Sequence, residues 1–353
     1  RSCRNEVFES CPLTRVRIPV VVLPTRELEH RVSGDRCRIH PHNSPIINNT
    51  NTSIMPSYLR SALFFLAAVS QLANSEIISG DKRVNGGQLR YFYDDAKDNA
   101  CDTVVLVGVG TAMKTNQYNL MSTQMVEGKS VVTIITDHSP RWFVKLSEKS
   151  YAKLANTIVA DLAEIVPACA STSPNKIIIG GHSASGQAAW KSLKYLDFQP
   201  DAFLGLDPFQ LSPDDDFELP TLNFGFTKTT CQVTTTKAAQ AGYQASEKDH
   251  RVFYQIDNSA GSTPSHCSFT DTGCFGPVCP AREGSEFVRE SVGDALSVFI
   301  QSLKTGVYNR NQYELSSGTN EQVNLYINQD NVVEQKEAPT RRLRNMSPQL
   351  ATA

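Results

Sequence analysis

The sequence predicts an α/β fold, in which a mostly parallel β-sheet carries helices on both faces. Several short runs of β-branched and other apolar residues show no polar alternation, which is typical of strands buried on both sides. Segments with an apolar stripe at helical spacing lie between these runs. Strands that alternate with helices form βαβ units, so functional groups should lie at the carboxyl ends of the strands.

Six strands are predicted, and each is a short, mostly apolar run. In chain order they are "TVVLVGV" (103–109), "SVVTIIT" (130–136), "KIIIGG" (176–181), "AFLGLD" (202–207), "LPTLNFGF" (219–226) and "RVFYQID" (251–257). Helices are predicted between and after them. These span 116–128, 148–166, about Ser185 to Tyr195, and a final segment with the apolar stripe Phe287, Val288, Val292, Leu296, Phe299 and Leu303.

The segment that starts at Met55 resembles a secretory signal peptide. Arg60 gives it a positive start, the apolar stretch 61–69 is too short to cross a bilayer, and small residues follow. A buried core helix is the alternative interpretation. If 55–73 is a signal peptide, we expect that 1–54 is not part of the natural product.

The folded part of the chain is predicted to be one domain over 74–306. The following 307–353 is expected to be a polar, partly disordered tail, because it is rich in charged and amide residues. The formal net charge is −2, and no basic stripe is present. This composition gives no indication of a nucleic-acid partner.

Six cysteines follow Met55, and an even number in a secreted chain predicts up to three disulfides. They are Cys101, Cys169, Cys231, Cys267, Cys274 and Cys279. Their pairing is left open. The group "HCSFTDTGCFGPVC" (266–279) is alternatively a zinc site, but its spacing is not a standard zinc pattern, so we expect no metal.

A serine lies where the third predicted strand turns into a helix, in "IIIGGHSASGQAAW" (177–190). Such a turn is sharp and needs small residues two positions before and after the serine. For Ser183 these residues are Gly181 and Ser185. For Ser185 one of them would be Gln187, which is too bulky. We therefore expect Ser183 to be a nucleophile, and a plain glycine-rich connection is the alternative.

Backbone N–H groups near this serine are candidates for stabilising an oxyanion. The N–H of Ala184 lies at the start of the helix, where the helix dipole also favours negative charge. A second donor is expected from the loop after the first predicted strand, "VGVGTAMK" (107–114). Gly110 and Thr111 are the two candidates, and the choice between them is left open.

His266 is the best candidate for the base that a nucleophilic serine needs. It follows the last predicted strand by a loop, which places it at the carboxyl edge of the sheet, and it follows the serine in chain order. His182 is expected to pack within the turn, His138 lies upstream of the serine, and His250 precedes a strand. A structural role in the cysteine loop is the alternative for His266.

Asp207 is the candidate acid, because it ends the strand after the serine turn, in "GLDPF" (205–209). The next strand is followed by "TKTTCQV" (227–233), which contains no carboxylate. Asp214, Asp215 and Asp216 are a weaker option, since a run of charges is usually a solvated loop.

These motifs together resemble the α/β-hydrolase superfamily over about 88–305. The placement of Asp207 is similar to that of the acid in pancreatic-type lipases, which share a Gly-Leu-Asp-Pro segment. The run "GHSASGQAAWKSLKYLDFQPDAFLGLDP" (181–208) resembles chlorophyllases more. Chlorophyllases carry Arg-Gly-Gly after the serine, where this chain has Ala184, Ser185 and Gly186. They also have Gly before the late His, where this chain has Ser265.

The resemblance and the motifs predict a serine ester hydrolase of the chlorophyllase-like kind, with the triad Ser183, Asp207 and His266 and no cofactor. A secreted lipase, cutinase or polyester hydrolase is the first alternative. A non-catalytic binding protein on the same scaffold is an alternative of another class. We expect a small or lipid-like ester as substrate, with contact at an interface as an option. We also expect a monomer in the secretory pathway or outside the cell, with a plastid location only if that pathway leads there.

Overall fold

The computed structural model describes residues 14–15, 76–85, 87–137, 147–211, 218–228, 237–247, 249–258, 264–273, 284–316 and 323–330. The helices and strands named below lie in the unit formed by residues 1–15 and 77–353. The strands are β1 (Thr14–Arg15), β2 (Ile77–Val84), β3 (Gly87–Asp94), β4 (Thr103–Gly108), β5 (Val131–Asp137), β6 (Lys176–His182), β7 (Ala202–Leu206), β8 (Thr221–Phe226), β9 (Arg251–Ile256) and β10 (Val323–Ile327).

All of these strands join one mixed sheet in the order β1-β2-β3-β5-β4-β6-β7-β8-β9-β10. Every neighbouring pair from β5 to β9 is parallel. The pairs at the two ends are antiparallel: β1 with β2, β2 with β3, β3 with β5, and β9 with β10. The six predicted strands are β4 to β9, so the prediction of a mostly parallel sheet of the α/β class is confirmed.

The helices connect the strands and cover the sheet. They are α1 (Asn119–Val126), α2 (Glu148–Ala160), α3 (Leu162–Ile165), α4 (Ala184–Ser192), α5 (Lys237–Ala245), α6 (Glu286–Thr305) and α7 (Arg310–Ser316). The helix predicted over 148–166 is interrupted at Asp161, whose φ of −102° and ψ of 18° depart from helical values. The helix predicted to begin near Ser185 begins at Ala184 and continues as a 3₁₀ turn, Leu193–Tyr195.

Side chains of β4 show that both faces of the sheet are covered. Val105 and Val107 belong to a buried cluster that also contains Met121 of α1 and Leu296 of α6. Val104 and Leu106 belong to a second cluster with Tyr151 of α2 and Trp190 of α4. Alternate residues of one strand therefore face opposite layers of helix, which explains the unbroken apolar run in the sequence.

Two elements lie in the segment that was expected to be a polar tail. The helix α7 packs Tyr313 into the core, where its hydroxyl donates to Ser302 Oγ at 2.9 Å. The strand β10 pairs with β9 from Val323 opposite Ile256 to Ile327 opposite Val252.

Cys101 and Cys169 form a disulfide that joins the segment before β4 to the 3₁₀ turn after α3. Cys267 is also disulfide-bonded. Among the residues that the structure describes, no helix is long and apolar enough to cross a membrane. The predicted signal peptide over 55–73 lies outside the described residues.

Candidate active site

Ser183 sits in a strained turn between β6 and α4. Its φ of 57° and ψ of −125° lie in a region that non-glycine residues rarely adopt. A Cβ on Gly181 would lie 2.7 Å from the carbonyl carbon of Ser185, and one on Gly186 would lie 2.7 Å from the oxygen of Gly181. Strand and helix therefore pass so closely that these two positions need glycine. Gly181 is one of the two small residues that the sharp turn predicted, whereas Gly186 lies one position beyond the other, Ser185.

Ser185, the other serine of this motif, has a structural role. Its hydroxyl donates to the carbonyl oxygen of Val109, at the end of β4. A Cβ on Gly108 would lie 2.6 Å from the Cβ of Ser185. Ser185 thus holds the start of α4 against β4, and its small size is required there.

Asp207 and His266 form a buried pair. The Nδ1 atom of His266 lies 2.6 Å from Oδ2 of Asp207, and the two residues are each only 4% exposed. Asp207 directly follows β7 with a φ of 42°, and its N–H donates to Phe224 O at 2.8 Å. A carboxylate that accepts the Nδ1–H of an imidazole fixes the tautomer whose Nε2 accepts a proton.

The serine turn and the aspartate turn are joined through their backbones. The N–H of Ser183 donates to Leu206 O at 3.2 Å, and its carbonyl accepts the N–H of Phe209 at 2.9 Å. In the sheet His182 lies opposite Leu206, so Ser183 and Asp207 follow the ends of adjacent parallel strands. The structure thus places the two predicted residues at one edge of the sheet.

A 3₁₀ turn, His266–Phe269, presents the imidazole to this edge. Ser265 caps the turn, because its Oγ accepts the N–H of Cys267 at 3.3 Å and its own N–H donates to Ser268 Oγ at 2.8 Å. Ser265 and Ser268 also form a capping box, in which the side chain of each accepts the backbone N–H of the other, so that donors at the start of the turn are satisfied. Ser265 therefore has a defined structural role directly before His266.

The end of the same loop is fastened to the helices α1 and α6. The carboxylate of Asp271 accepts the N–H groups of Asn119 and Leu120, each at 3.0 Å, at the start of α1. Arg289 of α6 donates to Thr270 O at 3.1 Å. Burial raises the pKa of Asp271, while the two N–H groups favour its charged form. These bonds hold the residues that follow His266 against α1 and α6.

The three candidates for the oxyanion hole differ in whether their backbone N–H groups have a hydrogen-bond acceptor among the described residues. The N–H of Gly110 donates to the hydroxyl oxygen of Tyr118 at 2.9 Å, so it is already satisfied. The N–H groups of Thr111 and Ala184 have no hydrogen-bond acceptor among the described residues. Thr111 is exposed in the β4–α1 loop, and Ala184 is the first residue of α4, where an N–H has no partner within the helix.

His182 makes polar contacts that could not be predicted from the residues around it in the chain. It is fully buried, and its ring centroid lies 4.4 Å from that of His266. Its Nε2 lies 2.9 Å from the carbonyl oxygen of His266, and its Nδ1 lies 2.8 Å from the hydroxyl of Tyr118. Burial, and next the neighbouring His266, lower the pKa of His182 well below its usual range, so this ring is neutral.

The other candidates do not join this cluster or lie outside the described residues. His250 precedes β9, at the opposite edge of the sheet, and its Nδ1 lies 2.9 Å from Glu247. His138, the run 214–216 and Cys231, Cys274 and Cys279 are outside the described residues. Within the described part of the chain, no three His, Cys, Asp or Glu side chains form a group that could hold a metal ion. The disulfide at Cys267 removes one thiol from the alternative zinc site.

A comparison of the chain with models of protein families finds no match, and a comparison with curated proteins finds none either.

Proposed function

We propose that this chain is a serine ester hydrolase with an α/β-hydrolase fold. The observation that carries the proposal is the buried 2.6 Å contact between His266 and Asp207, next to the strained turn that holds Ser183. An imidazole that is held by such a carboxylate and reaches a serine hydroxyl activates that serine for attack on a carbonyl carbon.

In the first half-reaction, Ser183 Oγ bonds to the carbonyl carbon of the ester while its proton passes to Nε2 of His266. The N–H groups of Ala184 and Thr111 stabilise the oxyanion of the tetrahedral intermediate. The C–O bond to the alcohol then breaks, and the imidazolium returns the proton to the leaving oxygen. Asp207 stabilises the transient positive charge of His266 and remains ionised.

In the second half-reaction, water replaces the alcohol. His266 takes a proton from the water as its oxygen attacks the acyl carbon, and the same N–H groups stabilise the second oxyanion. The bond to Ser183 Oγ then breaks, and Ser183 recovers its proton from His266. The products are an alcohol and a carboxylic acid, and no cofactor takes part.

The arrangement along the chain supports the assignment to the α/β-hydrolase fold. In that fold the nucleophile lies at a strand-to-helix turn, the triad follows the chain order Ser, Asp, His, and one oxyanion donor comes from a loop after an earlier strand. Ser183 follows β6, Asp207 follows β7, His266 follows β9, and Thr111 follows β4.

Within this class we propose a chlorophyllase-like specificity, with a lipase, cutinase or polyester hydrolase as the alternative. The similarity of 181–208 to chlorophyllases supports the first, and Ala184-Ser185-Gly186 in place of Arg-Gly-Gly separates the chain from them. The Cys101–Cys169 disulfide supports a secreted or secretory-pathway protein, since disulfides persist in oxidising compartments. We expect a monomer that acts on small or lipid-like esters.

The test is hydrolysis of p-nitrophenyl butyrate by the full chain, produced in an oxidising host, beside Ser183→Ala and Ser185→Ala. Ser183→Ala should lower kcat by about 10⁶ with the fold retained, because the nucleophile is lost. Ser185→Ala should remain active, since that hydroxyl is bonded to Val109 O. Equal turnover by the parent and Ser183→Ala contradicts the proposal. If the parent is active and Ser183→Ala is not, a panel of chlorophyll, triglycerides and polyesters should be tested as substrates.

A further inference from the structure

A buried chain of hydrogen bonds connects the three loops of the proposed active site. It runs from the N–H of Gly110 to the hydroxyl of Tyr118, from Tyr118 to Nδ1 of His182, and from Nε2 of His182 to the carbonyl oxygen of His266. We propose that Tyr118 and His182 are positioning residues that set the oxyanion loop, the nucleophile turn and the base loop relative to one another. This inference rests on the proposed function.

The direction of each hydrogen bond follows from the groups involved. A carbonyl oxygen only accepts, so Nε2 of His182 carries the proton that faces His266. Because the ring is neutral, Nδ1 accepts, and Tyr118 donates its hydroxyl proton to it. The hydroxyl oxygen then accepts the N–H of Gly110. Met113 Sδ also lies 2.8 Å from this hydroxyl, but a thioether is the weaker acceptor.

The surroundings make this chain rigid. Tyr118 and His182 are both fully buried, so no water replaces a bond that is lost. The β4–α1 loop lies so close to His182 that a Cβ on Gly110 would be 2.8 Å from the Nδ1 atom of that ring. The ring of Phe269 packs on His182 with its centroid 5.3 Å away.

The three fastened loops carry different parts of the reaction. Gly110 precedes the donor Thr111, His182 precedes the nucleophile Ser183, and the carbonyl at the far end belongs to the base His266. Loss of one of these hydrogen bonds should therefore displace the N–H of Thr111 and the imidazole of His266 from their positions in the transition state, and it should weaken substrate binding less. A neutral His182 also adds no positive charge beside His266 when that ring takes a proton. We expect loss of kcat with KM nearly unchanged.

The first test compares Tyr118→Phe with Tyr151→Phe in the full chain. Tyr151 is a matched control, because it is also buried and its hydroxyl donates to Gly180 O at 2.8 Å, on the other face of the sheet. Tyr118→Phe should lower kcat by about 10 to 100-fold with KM nearly unchanged, because a small misplacement of reacting groups costs a factor of this order. A kcat within about threefold of the Tyr151→Phe value, with both variants folded, overturns the inference.

The second test separates the two nitrogen atoms of His182. The amide of His182→Gln reaches the Nε2 position and can donate to His266 O, whereas the amide of His182→Asn reaches only the Nδ1 position and can accept from Tyr118. Both variants lose the imidazole ring, so the loss of stability that follows from its removal is common to both. We expect His182→Gln to keep at least about tenfold more kcat than His182→Asn, since it retains the bond to the base loop. Equal kcat values overturn the role of that bond.

A third readout needs no turnover. ¹⁵N NMR of the imidazole groups, assigned by the signal lost in His182→Asn, should show His182 as the neutral tautomer with its proton on Nε2. A proton on Nδ1 overturns the inference even if the enzyme is active. If the parent is inactive while His182 has the expected tautomer, the proposed function fails and the hydrogen-bond chain stands as structure alone.

Discussion

Replacing Asp207 by Asn tests the proposed triad without removing volume from the site. In the parent, Oδ2 accepts the Nδ1–H of His266 at 2.6 Å, with the two side chains only 6% and 5% exposed. If the amide NH₂ of Asn faces Nδ1, the imidazole must present a lone pair there and carry its proton on Nε2. That tautomer cannot accept the proton of Ser183. If the amide oxygen faces Nδ1, the bond remains but the charge that stabilises the imidazolium is gone.

The expected loss is about 10⁴ in kcat, which corresponds to about 5.4 kcal/mol of transition-state stabilisation. The free energy of unfolding should change far less, by about 1–3 kcal/mol, since one buried hydrogen bond is perturbed. Both quantities are measurable on one preparation, kcat with p-nitrophenyl butyrate between about pH 6 and 9 and stability by urea unfolding.

Asp201→Asn is the matched control, because Asp201 precedes β7 while Asp207 follows it. Its carboxylate lies 2.8 Å from Lys176 Nζ and accepts the N–H of Ile177 at 2.8 Å, at the edge away from the site. Its kcat should stay within about twofold of the parent. A folded Asp207→Asn variant that keeps more than about a tenth of the parental kcat would refute the assignment of the acid.

Three further predictions concern the scaffold. Gly181→Ala places a Cβ 2.7 Å and 2.8 Å from backbone atoms of the following helical turn. Urea unfolding should therefore show a free energy of unfolding lower by at least about 1–3 kcal/mol, and the activity should fall too. A variant with the stability and activity of the parent would contradict the close approach of strand and helix. The Cys101→Ser, Cys169→Ser double variant removes a disulfide between residues 68 positions apart in the chain. Calorimetry should show a loss of stability of up to about 4 kcal/mol. An unchanged Tm would show that the disulfide does not stabilise the fold. Burial alone would raise the pKa of Asp102, but Lys304, whose Nζ lies 2.5 Å from the carboxylate, and further hydrogen bonds outweigh burial and lower this pKa. The pair therefore stabilises the fold at pH values above the ordinary pKa of aspartate, and this stabilisation is lost as the pH falls below about 4. Lys304→Met should thus be less stable than the parent at pH 7 and approach it in acid, and a pH-independent difference would contradict this.

The parallel centre of the sheet could be predicted because burial on both faces leaves a simple pattern. The strands β4 to β9 are almost wholly buried, so their runs are mostly apolar and show no regular polar alternation. The hairpin of β2 and β3 was not predicted, since β2 has exposed polar residues such as Asp81 and Lys82. The strand β10 is an edge strand in a polar segment, and its pairing with β9 is a tertiary contact that local composition does not reveal.

The site shows the same division between local and tertiary information. The sharp turn at Ser183 could be predicted from the small residues around it, because such a turn is a local requirement. The pairing of Asp207 with His266 was predicted from chain order and strand position, and the structure brings the two side chains into contact. The bond between Gly110 and Tyr118 could not be predicted, since neither residue type indicates the other as a partner. His182 was expected to pack, and it does so as a link between two loops.

The most direct test of the account is covalent labelling of the full chain with a fluorophosphonate, followed by intact-mass measurement and peptide mapping. A fluorophosphonate reacts with a serine only when a neighbouring base activates it, so labelling does not depend on knowing the ester substrate. The account predicts a single adduct on Ser183, and none on folded Ser183→Ala. An unlabelled but folded parent, or an adduct that persists in Ser183→Ala, would contradict the assignment of Ser183 as the nucleophile.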